Sequence, residues 1–335
     1  MKYGIVKKGA AFLYETRRAA EAARRGQGAE EGGVSDEVFC GWSVRVLEED
    51  EHIALVRTFY GYEGYMDRSA LVRCRRRELR RFYACEGAAL CVVTSVQADV
   101  QAIPRVQGRI LLSVPRGSLL SVCGEEREGY LPVRLPDGQE GVVAAPRVRE
   151  YPALEALYFP KKKEENRNAV RGAGGEWTER AAEQCDTQGQ DGERTEEDAE
   201  QCTAQGRQVA ALRRSIVAEA KKYLGTQYRW GGKSPEGIDC SGLAFMSYFM
   251  NGILIYRDAD LVEGYPVHEI PREKLKQGDL IFFPGHVAVS LGGEKFIHST
   301  GHQGELGVVY GSLKEGDPGY RPDLRDKVMK CGSFF

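Results

Sequence analysis

The stretch Gly237–Gly252 reads "GIDCSGLAFMSYFMNG". From Leu243 to Met250 it is apolar nearly all round, which predicts a buried helix. Asp239 or Cys240 stands near the N-cap, and Gly252 lies past the end. A thiol there is close to unpaired N–H groups and to the positive end of the helix dipole, and both favour thiolate over thiol. The same N–H groups could stabilise an oxyanion. On these residues alone Cys240 is either a nucleophile or one more buried structural thiol.

A nucleophile of this kind needs a base, and the base needs a group to orient it. Downstream lie three strand-like runs bounded by Gly or Pro: "DLIFF", "HVAVSL" and "KFIHS". His286 opens the second run and His298 sits in the third. If these runs pair antiparallel, both imidazoles can face one side near one end. A cysteine on a buried helix with histidines from the packed sheet is a papain-like arrangement. A metal site is the weaker reading, because no fourth ligand or motif spacing accompanies these residues. No metal or cofactor is expected.

Upstream, "VAALRRSIVAEAKKYLG" puts Val209, Leu212, Ile216, Ala220 and Tyr223 or Leu224 on one helical face, with Gly225 as the stop. Helix, helix, then antiparallel strands gives residues 209–335 an α+β order. Residues 1–75 carry short alternating runs separated by turns, which predicts a small antiparallel barrel with a solvated loop or short helix inserted at about 14–33. Residues 83–150 repeat the theme, with Asp137-Gly138 as a hairpin signal. "GYEGYM" in the first unit and "DGQEGVV" in the second suggest two related barrels. Residues 161–208 are charged and rich in Gln and Gly. They cannot bury enough surface to offset their ordering entropy, so a disordered linker is expected.

The composition limits the partners. Lys plus Arg number 47 and Asp plus Glu 49 among 335 residues, so there is no electrostatic case for nucleic acid or an anionic membrane. No window approaches the roughly 18 apolar residues of a spanning helix, and the N-terminus has no apolar signal region. Nine cysteines, an odd number with no CxxC pair, fit mostly free thiols in a reducing cytoplasm.

The segments "YLGTQYRWGGKSPEGIDCSGLAFMSY" and "GDLIFFPGHVAVSLGGEKFIHST" resemble the cysteine and histidine segments of the NlpC/P60 peptidases, in order and over roughly the last 130 residues. The preceding units resemble bacterial SH3 domains, the second more closely. The resemblance implies a papain-like fold after two SH3-like barrels, with Cys240 as nucleophile, His286 as general base and His298 orienting it. It also implies that Tyr228 lines the oxyanion region and that Asp239 and Ser241 contact substrate. The architecture is similar to that of the cytoplasmic γ-D-glutamyl-L-diamino acid endopeptidases. Those enzymes recycle murein tripeptides or tetrapeptides and release L-Ala-D-Glu from a free amino terminus. Asp258 would bind that ammonium, and the first barrel would close the cleft with Tyr62, with Tyr60 and Tyr65 competing for the role. Glu37 or Glu31 would supply an acidic contact. An exported hydrolase of intact stem peptides is the alternative, and a non-catalytic binder of wall peptides a third.

Overall fold

The computed structural model describes residues 2–27, 33–83, 90–151, 196–302 and 304–335. Short alternating runs build the first antiparallel sheet from β1 (Lys2–Val6), β2 (Ala10–Tyr14), β3 (Val34–Phe39), β4 (Ser43–Glu49), β5 (Ile53–Thr58), β6 (Glu63–Asp67) and β7 (Leu71–Cys74). Their order is β3-β2-β6-β5-β4-β1-β7. Of the two readings of the insertion, the short helix holds: α1 (Arg17–Arg24) starts at Thr16, whose side chain caps the Ala19 N–H, and buries Ala19 and Ala20. After β7 comes α2 (Arg76–Tyr83).

The second sheet contains β8 (Leu90–Val93), β9 (Gln97–Gln101), β10 (Ile110–Pro115), β11 (Leu119–Val122), β12 (Tyr130–Arg134), β13 (Glu140–Ala144) and β14 (Val148–Glu150). Its order, β10-β9-β13-β12-β11-β8-β14, is that of the first with every index raised by seven. The chain therefore traces the same SH3-like path twice. The repeated sequence feature falls on equivalent strands, β6 and β13, with Gly64 and Gly141 second in each. A Cβ on Gly64 would stand 2.9 Å from the Leu13 Cβ in β2, and one on Gly141 2.8 Å from the Gln101 carbonyl oxygen in β9. β2 and β9 are themselves equivalent, so both glycines permit the same close approach of strands.

In the C-terminal unit, α3 (Glu196–Lys221) begins well before Val209, inside the stretch expected to be unstructured. Residues 161–195 of that stretch lie outside the described residues. Ile216, Ala220 and Tyr223 are fully buried while Leu224 turns outward, which decides between the two candidates for the last buried position. Two short strands, β15 (Lys233–Ser234) and β16 (Gly237–Ile238), lead into α4 (Cys240–Phe249). The last sheet comprises β17 (His268–Ile270), β18 (Leu280–Phe283), β19 (His286–Gly292), β20 (Lys295–Thr300), β21 (Gly307–Ser312) and β22 (Lys330–Ser333), in the order β17-β22-β18-β19-β20-β21. Every residue of α4 is buried, as its unbroken apolar run requires. The helix packs on α3 and against β19 and β20.

The first barrel shares its core with α4. Trp42, fully buried, touches the rings of Phe39 (4.9 Å), Phe249 (4.9 Å) and Phe245 (6.3 Å). Removing a side chain of this size from water is worth about 5 kcal/mol. The second barrel keeps its own core of Val100, Val114, Leu120, Val133 and Val143. It is tied on by Leu90, Val92 and Leu119, which join the main core, and by polar contacts: the Trp42 indole donates to the Gly117 carbonyl (2.9 Å), and the Tyr151 hydroxyl to that of Phe249 (2.7 Å). No helix among the described residues is long and apolar enough to cross a membrane.

Candidate active site

Cys240 is the first residue of α4, and Asp239 is its N-cap, with an extended backbone (φ −90°, ψ 179°). The Asp239 carboxylate accepts the Gly242 N–H at 2.5 Å and the Gly231 N–H at 2.8 Å. The thiol is almost wholly enclosed, and the backbone N–H groups of Val287 and Ser241 reach its sulfur. Val287 follows His286, so β19 meets the start of α4 where the sequence placed the base.

The sheet brings the two histidines together. Val289 pairs with Ile297 across β19 and β20, which sets His286 and His298 on one face as diagonal neighbours. His286 Nε2 lies 2.8 Å from His298 Nδ1. That contact occupies Nε2 of His286 and leaves Nδ1 outside the pair. Behind the pair, Arg321 lies 3.2 Å from His298 Nε2 and is itself held by Glu305 (2.9 Å) and Asp323 (2.7 Å).

Burial sets the protonation states. It pushes the Cys240 thiol up to about 11, Asp239 adds to the rise, and the two backbone N–H groups oppose it. It pulls His286 down to about 4 and His298 to about 2, with the Arg321 charge lowering both further. The N–H groups at the helix start do lower the thiol, as expected, but burial outweighs them and raises it overall. A proton passed from sulfur to His286 creates two charges that stabilise each other, which neither has alone.

The other expected residues separate. Burial and then the Cys240 charge raise the Tyr228 phenol, which places it beside the thiol. Ser241 and Ala244 line a cleft with Val287, Phe282, Tyr265 and Asp258, so Ser241 and Asp258 do meet at one opening. The Asp258 carboxylate is open to solvent, and no hydrogen bond or ion pair within the described residues satisfies it. Burial first, and the Asp258 charge second, raise the Tyr62 phenol. Tyr60 is fully buried, donating to Asp36 and accepting from Lys233 Nζ at 2.7 Å. Tyr65 pairs with Tyr14 and Leu55 inside the barrel sheet.

Two expected substrate contacts are corrected. Glu37 is fully buried, and its Oε2 accepts the Lys233 and Ser234 N–H groups (2.7 and 2.9 Å), so it braces β15 rather than facing the cleft. Both Asp239 oxygens are taken, by the backbone and by Arg257 (3.2 and 2.9 Å). Glu31 lies outside the described residues. Sequence reasoning passed over Arg257, Lys233, Asp36 and Arg321. No local pattern marks them, since each acquires its role from a partner remote in the chain. Among the described residues no cluster of His, Cys, Asp or Glu is arranged to hold a metal ion. Cys40, Cys74, Cys91, Cys123, Cys240 and Cys331 are free.

The NlpC/P60 family model matches residues 225–316, which spans Cys240, His286 and His298. "Dipeptidyl-peptidase 6" of Lysinibacillus sphaericus is 32% identical over 308 residues, covering 90% of this chain and 92% of that protein. The chain belongs to the NlpC/P60 family. "Gamma-D-glutamyl-L-lysine dipeptidyl-peptidase" of Bacillus subtilis (strain 168) is 36% identical over 92 residues, 25% of this chain and 31% of its own. The crystal structure of an NlpC/P60 family protein from Bacillus cereus ATCC 10987 superposes with a TM-score of 0.66 over 98% of both chains at 18% identity, a likeness of fold. These relatives support a hydrolase of the peptidase class acting on cell-wall peptides.

Proposed function

We propose that this protein is a cysteine peptidase that hydrolyses the γ-D-Glu–diamino acid bond of cell-wall peptides bearing a free N-terminal L-Ala. It would release L-Ala-D-Glu and serve murein-peptide recycling in the cytoplasm. The observation that carries the reading is Asp258, an unsatisfied carboxylate at the mouth of the cleft that Ser241 and Val287 line beside Cys240. An anion there suits a terminal ammonium. The similarity to the Lysinibacillus sphaericus protein over both barrels and the peptidase unit supports the same reading.

In this mechanism His286 Nδ1 takes the thiol proton as Cys240 Sγ attacks the γ-carbonyl carbon of D-Glu. His298 holds the imidazole through Nε2. The oxyanion forms near the N–H groups at the start of α4 and the Tyr228 phenol. As the C–N bond breaks, the leaving amine takes the proton from His286, and a thioester remains on Cys240. Water then gives a proton to His286 and attacks the thioester, and the returning proton restores the thiol. Tyr62, reaching over from the first barrel, would close the amino-terminal end of the cleft and exclude N-extended chains.

The test is a product assay on L-Ala-γ-D-Glu-L-Lys, on its meso-diaminopimelate analogue and on their N-acetylated forms. The free-amine peptides should yield L-Ala-D-Glu, and Cys240→Ala should abolish the reaction. Full activity in that variant would overturn the mechanism. Equal cleavage of acetylated peptide or intact peptidoglycan would overturn the substrate assignment in favour of a wall hydrolase.

A further inference from the structure

Arg257 is 2% exposed and reaches three partners. Its Nε donates to Asp36 Oδ1 at 2.7 Å, and its two Nη groups donate to Asp239 at 3.2 and 2.9 Å. One Nη also donates to Ser241 Oγ at 2.7 Å. Asp239 and Ser241 flank Cys240, whereas Asp36 belongs to β3 of the first barrel, 221 residues from Arg257. Asp36 in turn accepts Lys233 Nζ (2.8 Å) and the Tyr60 hydroxyl. Lys233, fully buried, lies under the rings of Tyr60, Trp42 and Phe245 at 4.4–4.9 Å. Beside it Glu37 holds the β15 backbone, and β15 pairs with β16, which runs directly into Asp239.

Two routes thus run from the first barrel to the residue before the thiol, one through side chains and one through backbone. Neither is explained by stability. Charges taken out of water cost more than the pairing usually returns, and well-packed apolar residues would hold the seam at least as well. What the ion pairs add is direction. A bidentate guanidinium fixes the carboxylate it grips in angle as well as distance.

We propose that Asp36 of the first barrel is a positioning residue for the nucleophile: through Arg257 and Asp239 it fixes the first turn of α4 and the direction of Cys240 Sγ. This rests on Cys240 being the nucleophile. The first barrel is then part of the catalytic unit and more than a wall across the cleft. Misplacing a reacting atom by about 1 Å costs on the order of a hundredfold in rate, so a small rotation of that turn is enough to matter.

The experiment uses the full chain carrying Asp36→Asn, which keeps the shape and removes the charge. Turnover of L-Ala-γ-D-Glu-L-Lys is normalised to the folded fraction from near-ultraviolet circular dichroism. Alkylation of Cys240 by iodoacetamide is followed against pH by mass spectrometry of its peptide. We expect kcat to fall about tenfold or more with little change in KM, and the alkylation profile to move to lower pH as Arg257 loses a counter-charge. An unchanged kcat per folded molecule with an unmoved profile, alongside a lower melting temperature, would show a merely structural contact and overturn the proposal. If Asp36→Asn does not fold, Arg257→Lys and Tyr60→Phe decide. The lysine keeps the charge but cannot grip both carboxylates, and should lose kcat. The phenylalanine removes one hydrogen bond to Asp36 and should lose less. Full activity in both would overturn the proposal. Cys240→Ala run in parallel separates the two claims, since activity in that variant sinks the nucleophile itself.

Discussion

Replacing Asp258 by asparagine should remove the preference for a free amino terminus while leaving the chemistry in place. Of the three aspartates around Arg257, two are matched: Asp36 by Lys233 and Arg257, and Asp239 by Arg257. Asp258 is left as the surplus negative charge. Burial raises its carboxyl above the usual range and the nearby negative charges of Asp36 and Asp239 add to that, with Arg257 opposing. A cation arriving from the cleft relieves both effects. A hydrogen bond to a charged partner is worth about 1.5–3 kcal/mol, and exposure to solvent argues for the lower half of that range. About 2 kcal/mol corresponds to roughly a thirtyfold loss in kcat/KM. The assay is a double comparison of wild type and Asp258→Asn on free-amine and N-acetylated L-Ala-γ-D-Glu-L-Lys. The loss should appear on the free amine alone, so that the variant handles the two peptides alike. Equal losses on both substrates would refute the ammonium contact, as would no loss on either.

Other expectations follow from the same geometry. The acid limb of kcat/KM should lie near pH 4 instead of near 6.5, because His286 is pulled down to about 4 and must be neutral to act as base. The linked stability has a definite sign. Between the folded value and the unfolded one near 6.5, the unfolded chain binds more protons, so stability falls as pH falls through that window, which pH-dependent melting would reveal. Arg321→Gln removes a positive charge that lowers both histidines, so the acid limb should move to higher pH; an unmoved limb would contradict that influence. Gly41→Ala should destabilise by about 2 kcal/mol or more by denaturant unfolding. At φ 81° its Cβ would stand 1.9 Å from the Leu119 carbonyl oxygen, where the two barrels meet.

The catalytic skeleton was legible along the chain. "DCSGL" before an unbroken apolar run announced a buried helix with Cys240 at its start, and two strand-like runs placed His286 and His298 as diagonal neighbours. The two barrels were legible from alternation, and their kinship from a repeated glycine. Each of these signals is local, with periods of two or 3.6 residues that a short window captures. What only the tertiary structure decided was which polar residues were free. Asp239 and Glu37 looked available for substrate until Arg257 and the β15 backbone were seen to use them. Tyr60 could be set apart from Tyr62 and Tyr65 only once Asp36 and Lys233 were seen to hold its hydroxyl. At the thiol, burial outweighs the helix-start N–H groups, because those groups are written in the local sequence and desolvation is not. Burial and pairing here join residues about 200 positions apart, and no periodicity in the chain encodes such a distance.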